Sequence, residues 1–171
     1  PTGGMPMSTR SGDLDPGVIL YLLQGKDYSP SQVNELVTKE AGLLGLSGIS
    51  SDMKDLVAKE KQDALAAEAI AVFCYQAKKY IGALAAALSG LYTLVFTGGI
   101  GENAPEIRQR ICSGLEFLGI NLDAIQNNRN GSIISGAGSA VTVRVIQTNE
   151  ELMIAQHVSD VSGQMGRTGG E

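Results

Sequence analysis

Residues 94–103, LVFTGGIGEN, constrain the possible folds of this chain more than any other stretch. Leu94, Val95 and Phe96 are apolar strand formers, and the run stops at Thr97-Gly98-Gly99, which predicts a buried strand entering a tight turn. Gly98, Gly99 and Gly101 remove three Cβ atoms within four residues, so the backbone can take positive φ and a ligand can lie directly on it. Asn103 is expected to cap a following helix over residues 104–118, with Pro105 in its first turn, where a missing N–H costs nothing. Strand, glycine turn and helix N-terminus together gather unpaired amides and the positive end of a helix dipole, which suits an anion such as a nucleotide phosphate. The same glycines also suit a helix packed closely on a sheet, and turn chemistry leaves both readings open. Neither GxGxxG nor GxxxxGK[ST] is present, so the Rossmann and P-loop readings have no support.

A chain of 171 residues, 43% apolar and 18% charged, is about one domain long and can hold a real core. A net charge of -5 with no face rich in Lys or Arg argues against a nucleic-acid partner. No apolar run reaches the ~18 residues that span a bilayer, so no membrane partner is expected. The N-terminus has no basic and apolar leader pattern, and a cytoplasmic location is expected. Cys74 and Cys112 lack CxxC spacing and read as two small buried thiols in a reducing compartment. Pro1 in place of an initiator Met, inside what reads as a loop, is expected of a piece of a longer protein.

Residues 1–13 read as a loop. Asp15-Pro16 and Ser29-Pro30 are helix starts, each a capping side chain followed by Pro at the first helical position, and Gly25 and Gly42 close the two helices. Residues 43–52 suggest a close-packed turn. Residues 53–88 read as one long helix buried around most of its circumference, stopped by Gly90. After Gly119, residues 120–122 are extended and residues 126–138 form an exposed loop with a turn at Asn130-Gly131. Residues 141–146 alternate as a second strand, and Thr148 or Asn149 caps a last helix from Glu150 to about Val161. The rhythm is α/β, with two strands, fewer than an independent sheet usually needs.

Five motifs occur in order: TRSGDLDP (residues 9–16), GLLGLSGISSDMKDL (42–56), VFTGGIGEN (95–103), LEFLGINLD (115–123) and TNEELMIA (148–155). In sequence and spacing they resemble the C-terminal part of the acetate kinase family, propionate kinases included. The resemblance implies an actin-like, ribonuclease H-like ATPase fold of the sugar kinase, Hsp70 and actin superfamily. Residues 1–162 would be the C-terminal nucleotide-binding domain with an incomplete sheet, and residues 163–171 a frayed tail. It further implies ATP/ADP and Mg2+ as cofactors, acetate or propionate as substrate, the missing N-terminal part of the enzyme as a partner, and a homodimer. The expected activity is phosphoryl transfer from ATP to a short-chain carboxylate. The alternative is a non-catalytic nucleotide-binding or scaffold module of the same superfamily, and the 171 residues alone are expected to be inactive.

Carried over by motif, Arg10 is the transition-state arginine. A planar guanidinium can hold two phosphoryl oxygens at once, which Lys cannot copy. Asp13 in the same loop is its expected orienter; without the family match Arg10 would read as a surface residue pairing with Asp13 or Asp15. Asp52, Met53 and Lys54 match the adenosine-contacting segment, Lys54 standing where the family usually has Arg, and Asp52 equally reads as a helix cap. Gly99, Ile100, Gly101, Glu102 and Asn103 match a nucleotide loop. Glu150 falls on the magnesium position, with Glu151 beside it; from sequence alone it is a first-turn helix acid. Arg10 and Glu150 are expected to converge on one nucleotide tail beside the glycine bend. His157 matches no catalytic position.

Overall fold

The computed structural model describes residues 2–25 and 28–165. Two starts are built as the sequence requires. Helix α1 (Pro16–Gly25) begins where Asp15 Oδ1 accepts from Gly17 N at 2.7 Å. Helix α2 (Pro30–Lys39) has a full capping box between Ser29 and Gln32. The stretch expected to be a turn contains a short helix, α3 (Gly42–Ser47), before it turns at Gly48. Its first amides are satisfied from outside: Leu43 N donates to Met7 O at 2.8 Å and Leu44 N to Ser8 O at 3.0 Å. Those bonds help a one-turn helix that local sequence would not hold.

The expected single helix over residues 53–88 is two. Helix α4 (Met53–Lys59) ends at Glu60, and Asp63 starts α5 (Ala64–Ala87) by accepting from Leu65 N and Ala66 N. Only one stripe of α5 is buried: Ala66, Ala69, Ile70, Phe73, Cys74, Ala77 and Ala85, while Leu65, Tyr75 and Leu84 are exposed. Gly90, with φ of +137°, terminates it and donates to Ala85 O.

Strand β1 (Thr93–Phe96) pairs in parallel with β2 (Thr142–Val145), Thr93 opposite Thr142 and Phe96 opposite Val145. This is the only sheet among the described residues. Its parallel register puts the exits of both strands at one end, where open α/β sheets bind ligands. The core is one cluster that runs from α3 and α4 across α5 to the sheet, with Leu43, Leu56, Ile70, Ile107, Ile120, Ile134 and Val143 at most 1% exposed.

The glycine turn is itself helical. Residues of α6 (Gly98–Asn103) precede a separate α7 (Pro105–Cys112), so Asn103 caps nothing. Its amide nitrogen donates back to Gly99 O at 3.0 Å, and Ala104 holds the cap position of α7 with no side-chain bond. The predicted helix to Leu118 stops at Cys112, because Ser113 leaves helical geometry and Gly114 takes φ of +83°. A 3-10 turn (Glu116–Leu118) follows, closed by Gly119.

Residues 126–138 are not simply an exposed loop. Asp123 caps α8 (Ala124–Asn128), and Asn127 and Ile134 are buried. Asn149 caps α9 (Glu150–Met165) by accepting from Leu152 N at 2.9 Å. Helix α9 continues past the expected end at Val161; the rest of the tail expected to fray, residues 166–171, lies outside the described residues. Cys74 and Cys112 are free and buried as expected, and burial pushes the Cys112 thiol up to about 12.

The loop carrying Arg10 is stitched to the helices beside it. Ser11 N donates to Val37 O, Thr9 Oγ1 to Thr38 O, and Ala41 N to Thr9 O. Gly42 makes this close approach feasible: its φ is +62°, and a Cβ there would sit 2.1 Å from Met7 O and 2.7 Å from Arg10 O. Gly42→Ala is therefore expected to lower stability by roughly 2 kcal/mol or more, combining left-handed strain with a backbone overlap. Urea unfolding would measure it, and an unchanged midpoint would contradict the packing described.

Candidate functional site

A cleft of about 880 Å³ opens at the strand exits. Asp52, Met53 and Lys54 from the start of α4 line it together with Gly99, Ile100 and Asn103 of α6. Ser8 borders it too, two residues ahead of Arg10 in the stitched loop. Thus two segments separated by some forty-five residues in sequence line one cleft. Gly101 and Glu102 do not line this cleft.

The three glycines divide by task. Gly98 and Gly99 face open space, with nothing within 4 Å of where a Cβ would lie. Gly101 instead packs on the strand, its ideal Cβ 3.2 Å from Phe96 C. The close-packing reading of the turn holds at Gly101, while Gly98 and Gly99 leave the backbone open.

Asp52 is a helix cap. Its Oδ1 accepts from Lys54 N at 2.8 Å, which fixes the start of α4 at the cleft edge, while Met53 is buried and the Lys54 side chain is exposed. Arg10 is exposed. Asp13 is held by other groups: its Oδ1 accepts from Gly4 N at 2.7 Å and its Oδ2 from the Tyr80 hydroxyl. Those two bonds hold its carboxyl below the ordinary carboxylate range, Gly4 contributing most. Asp13 thereby braces the N-terminal loop against α5.

Glu102 stands at the crossing of the two strand exits. Its Oε1 accepts from Gly98 N, Thr148 N and Thr148 Oγ1, each at 2.9 Å. The Thr148 amide and hydroxyl, with Gly98, keep this carboxyl ionised below its usual range. Thr148 is two residues before Glu150, so the glycine helix and the start of α9 are tied together. Glu150 is the first residue of α9 and is exposed, with Glu151 next to it.

Sequence reasoning missed Arg108. It is 0% exposed. Its Nε donates to Asn127 Oδ1, its Nη1 to Gly101 O and Glu102 O, and its Nη2 to Asn127 O and Asn130 Oδ1, all between 2.7 and 3.0 Å. Desolvation pushes its pKa down, but a guanidinium stays charged. A cation on the last carbonyls of α6 complements the negative end of that helix, and the Glu102 carboxylate meets its first amide. Three glycines in six residues make α6 a poor helix by propensity, and these two charged side chains hold its ends. The missed signal was the spacing: Ile107, Arg108, Ile111 and Cys112 share the buried face of α7.

No group of three or more His, Cys, Asp or Glu able to hold a metal ion occurs among the described residues. A magnesium ion bound through nucleotide phosphates and water needs only one or two protein carboxylates, and an exposed Glu150 at a strand exit fits that donor set. Among the described residues no helix is long and apolar enough to cross a membrane.

The Acetokinase family model matches residues 1–156. Acetate kinase from Symbiobacterium thermophilum is 48% identical over 164 residues, covering 94% of this chain and 41% of that protein. Acetate kinase from Nitrobacter hamburgensis is 50% identical over 154 residues, 90% of this chain and 38% of that protein. Among solved structures, acetate kinase from Porphyromonas gingivalis superposes with a TM-score of 0.86 at 40% identity, covering 94% of this chain and 41% of its own. A propionate kinase from Francisella tularensis gives 0.84 at 38% identity, over 91% and 40%. The chain thus spans about two fifths of the length of the relatives it matches.

Proposed function

The chain belongs to the acetokinase family, and on that premise we propose that it is the nucleotide-holding part of an enzyme that transfers the γ-phosphoryl group of ATP to a short-chain carboxylate. The observation that carries this reading is the shared cleft, lined by Asp52, Met53 and Lys54 together with Gly99, Ile100 and Asn103, with Ser8 of the Arg10 loop at its edge.

In the proposed reaction a carboxylate oxygen of acetate or propionate forms a bond to the γ-phosphorus as the bond to the ADP oxygen breaks. Charge spreads over the three equatorial oxygens, and Arg10 meets two of them with its planar fork. The loop stitched through Thr9, Ser11 and Gly42 sets where the Arg10 backbone stands before substrate binds, and the fork extends from it. Lys54 contributes a point charge without a flat stacking surface for the base. Residues of α6 present first-turn amides without intrahelical partners toward the phosphates at Gly99 and Ile100. Glu150 would hold Mg2+ together with the phosphates, and the ion would neutralise charge on the β- and γ-oxygens.

The remainder of the enzyme, N-terminal to the matched region, supplies the acyl pocket and further phosphate contacts in this reading. Exposed apolar side chains on α9, Leu152, Ile154 and Val158 among them, leave surface for that part or for a second copy in a homodimer. Use of ATP and of carboxylate metabolites fits a cytoplasmic enzyme.

Hydroxylamine trapping of acyl phosphate tests the proposal. The complete gene product is expected to form the hydroxamate from ATP with acetate or propionate, and the 171 residues alone are expected to form none. Nucleotide binding by the complete product without hydroxamate from either acid would favour the scaffold reading.

A further inference from the structure

Glu102 lies in the glycine motif, yet it does not line the cleft, and its Oε1 is filled by three donors from two segments. Three hydrogen bonds at 2.9 Å fill Oε1, and a carboxylate turned toward a polyphosphate would add like charge. What the geometry does provide is a tie. Gly98 is the second residue after β1, and Thr148 is the third after β2. One oxygen atom therefore joins the exits of two adjacent parallel strands.

The two ends of that tie matter for different reasons. Helix α6 contains three glycines and has little stiffness of its own, while Arg108 fixes the Glu102 carbonyl from below at 3.0 Å. On the other side Thr148 leads through the capping residue Asn149 to Glu150. Two residues of chain keep the Glu150 Cα within roughly 7 Å of that of Thr148.

We propose that Glu102 is a positioning residue, which sets the spacing between the glycine helix and the carboxylate of Glu150 by holding both strand exits on one oxygen. It couples phosphate binding at α6 to metal binding at α9 and touches neither ligand. The proposal rests on the reading of Glu150 as the metal carboxylate.

The test measures Mn2+ binding in the presence of ADP, by electron paramagnetic resonance and without turnover, on the complete gene product. Glu102→Ala is expected to weaken Mn2+ binding about tenfold, the scale of a lost outer partner of a metal ligand. Metal-free ADP binding should fall by a clearly smaller factor, about threefold at most. Glu102→Gln keeps an oxygen that accepts the same three bonds and should restore Mn2+ binding to within about threefold. Thr148→Ala removes one of the three bonds and keeps the backbone, so it should give a smaller loss in the same direction and serve if Glu102→Ala does not fold. Unchanged Mn2+ binding in Glu102→Ala, or an equal loss of metal-free ADP binding, would overturn the proposal. So would a Glu102→Gln variant as weak as Glu102→Ala. Glu150→Gln separates the two levels. If it weakens Mn2+ binding while the Glu102 and Thr148 variants do not, the tie alone fails. If Glu150→Gln leaves Mn2+ binding intact, the metal reading fails and the proposal falls with it.

Discussion

Replacing Arg10 by Ala in the complete gene product is expected to lower kcat for hydroxamate formation by about a thousandfold or more, with KM for ATP changed little. A charge-neutralising arginine in phosphoryl transfer acts mainly in the transition state, when charge spreads over the equatorial oxygens, and effects of 10³ to 10⁵ are usual for such residues. Arg10→Lys should recover little, because a point charge cannot hold two oxygens in one plane. Added guanidinium should restore part of the activity to Arg10→Ala and none to the parent protein. The stitching of the loop to α2 and α3 runs through the backbone of residues 7–11 and Thr9 Oγ1, all of which the variant keeps. A loss of less than tenfold in kcat would remove Arg10 from the reaction.

The largest effect on stability is expected at Arg108. Arg108→Met leaves Gly101 O, Glu102 O, Asn127 O, Asn127 Oδ1 and Asn130 Oδ1 without the donor they face. Breaking a buried, fully bonded charged group in this way costs about 3–5 kcal/mol, a large part of the ~5–15 kcal/mol by which domains are stable. A fall in Tm of roughly 10 °C follows for a chain of this size. Arg108→Lys should recover only part, since one ammonium cannot reach acceptors spread over α6, α8 and Asn130. Thermal unfolding followed by circular dichroism would show this, and a Tm within 2–3 °C of the parent would mean the network carries little.

The legible parts of the sequence were those decided within a few residues. Asp15-Pro16 and Ser29-Pro30 announced α1 and α2 because a side-chain oxygen and the next amides meet wherever that pattern occurs. Gly90 announced the end of α5 for a similar local reason. The second strand was legible from its alternation and the first from its apolar run, although only Phe96 of β1 is buried and Val95 is exposed where a buried strand was expected. The split at residues 60–63 was hidden because Glu60, Lys61 and Gln62 are good helix formers, and only Asp63 capping a new helix marks the break. The helicity of GGIGEN was hidden more deeply. Three glycines argue against a helix, and the groups that hold its two ends, Glu102 and Arg108, act through contacts with Thr148 and with α7.

The site was legible to a different degree. Family resemblance brought Asp52, Met53, Lys54, Gly99, Ile100 and Asn103 forward, and they line one cleft. It also grouped Glu102 with the nucleotide contacts, although its oxygen is spent on Gly98 and Thr148, and it paired Asp13 with Arg10, although Asp13 is bonded to Gly4 and Tyr80. A motif records which residues a loop contains and not which of them face the ligand. That distinction depends on partners distant in sequence, which is why Arg108 at the centre of the network escaped notice.

Paramagnetic broadening of backbone amide signals by bound Mn2+–ADP tests most directly whether one nucleotide tail meets both ends of this chain. Residues 8–10, residues 98–101 and Glu150 should broaden together, and more strongly than residues 88–90, which lie before the opposite end of β1. Broadening at the glycine helix with residues 8–10 and Glu150 unaffected would contradict convergence of Arg10 and Glu150 on the same phosphates.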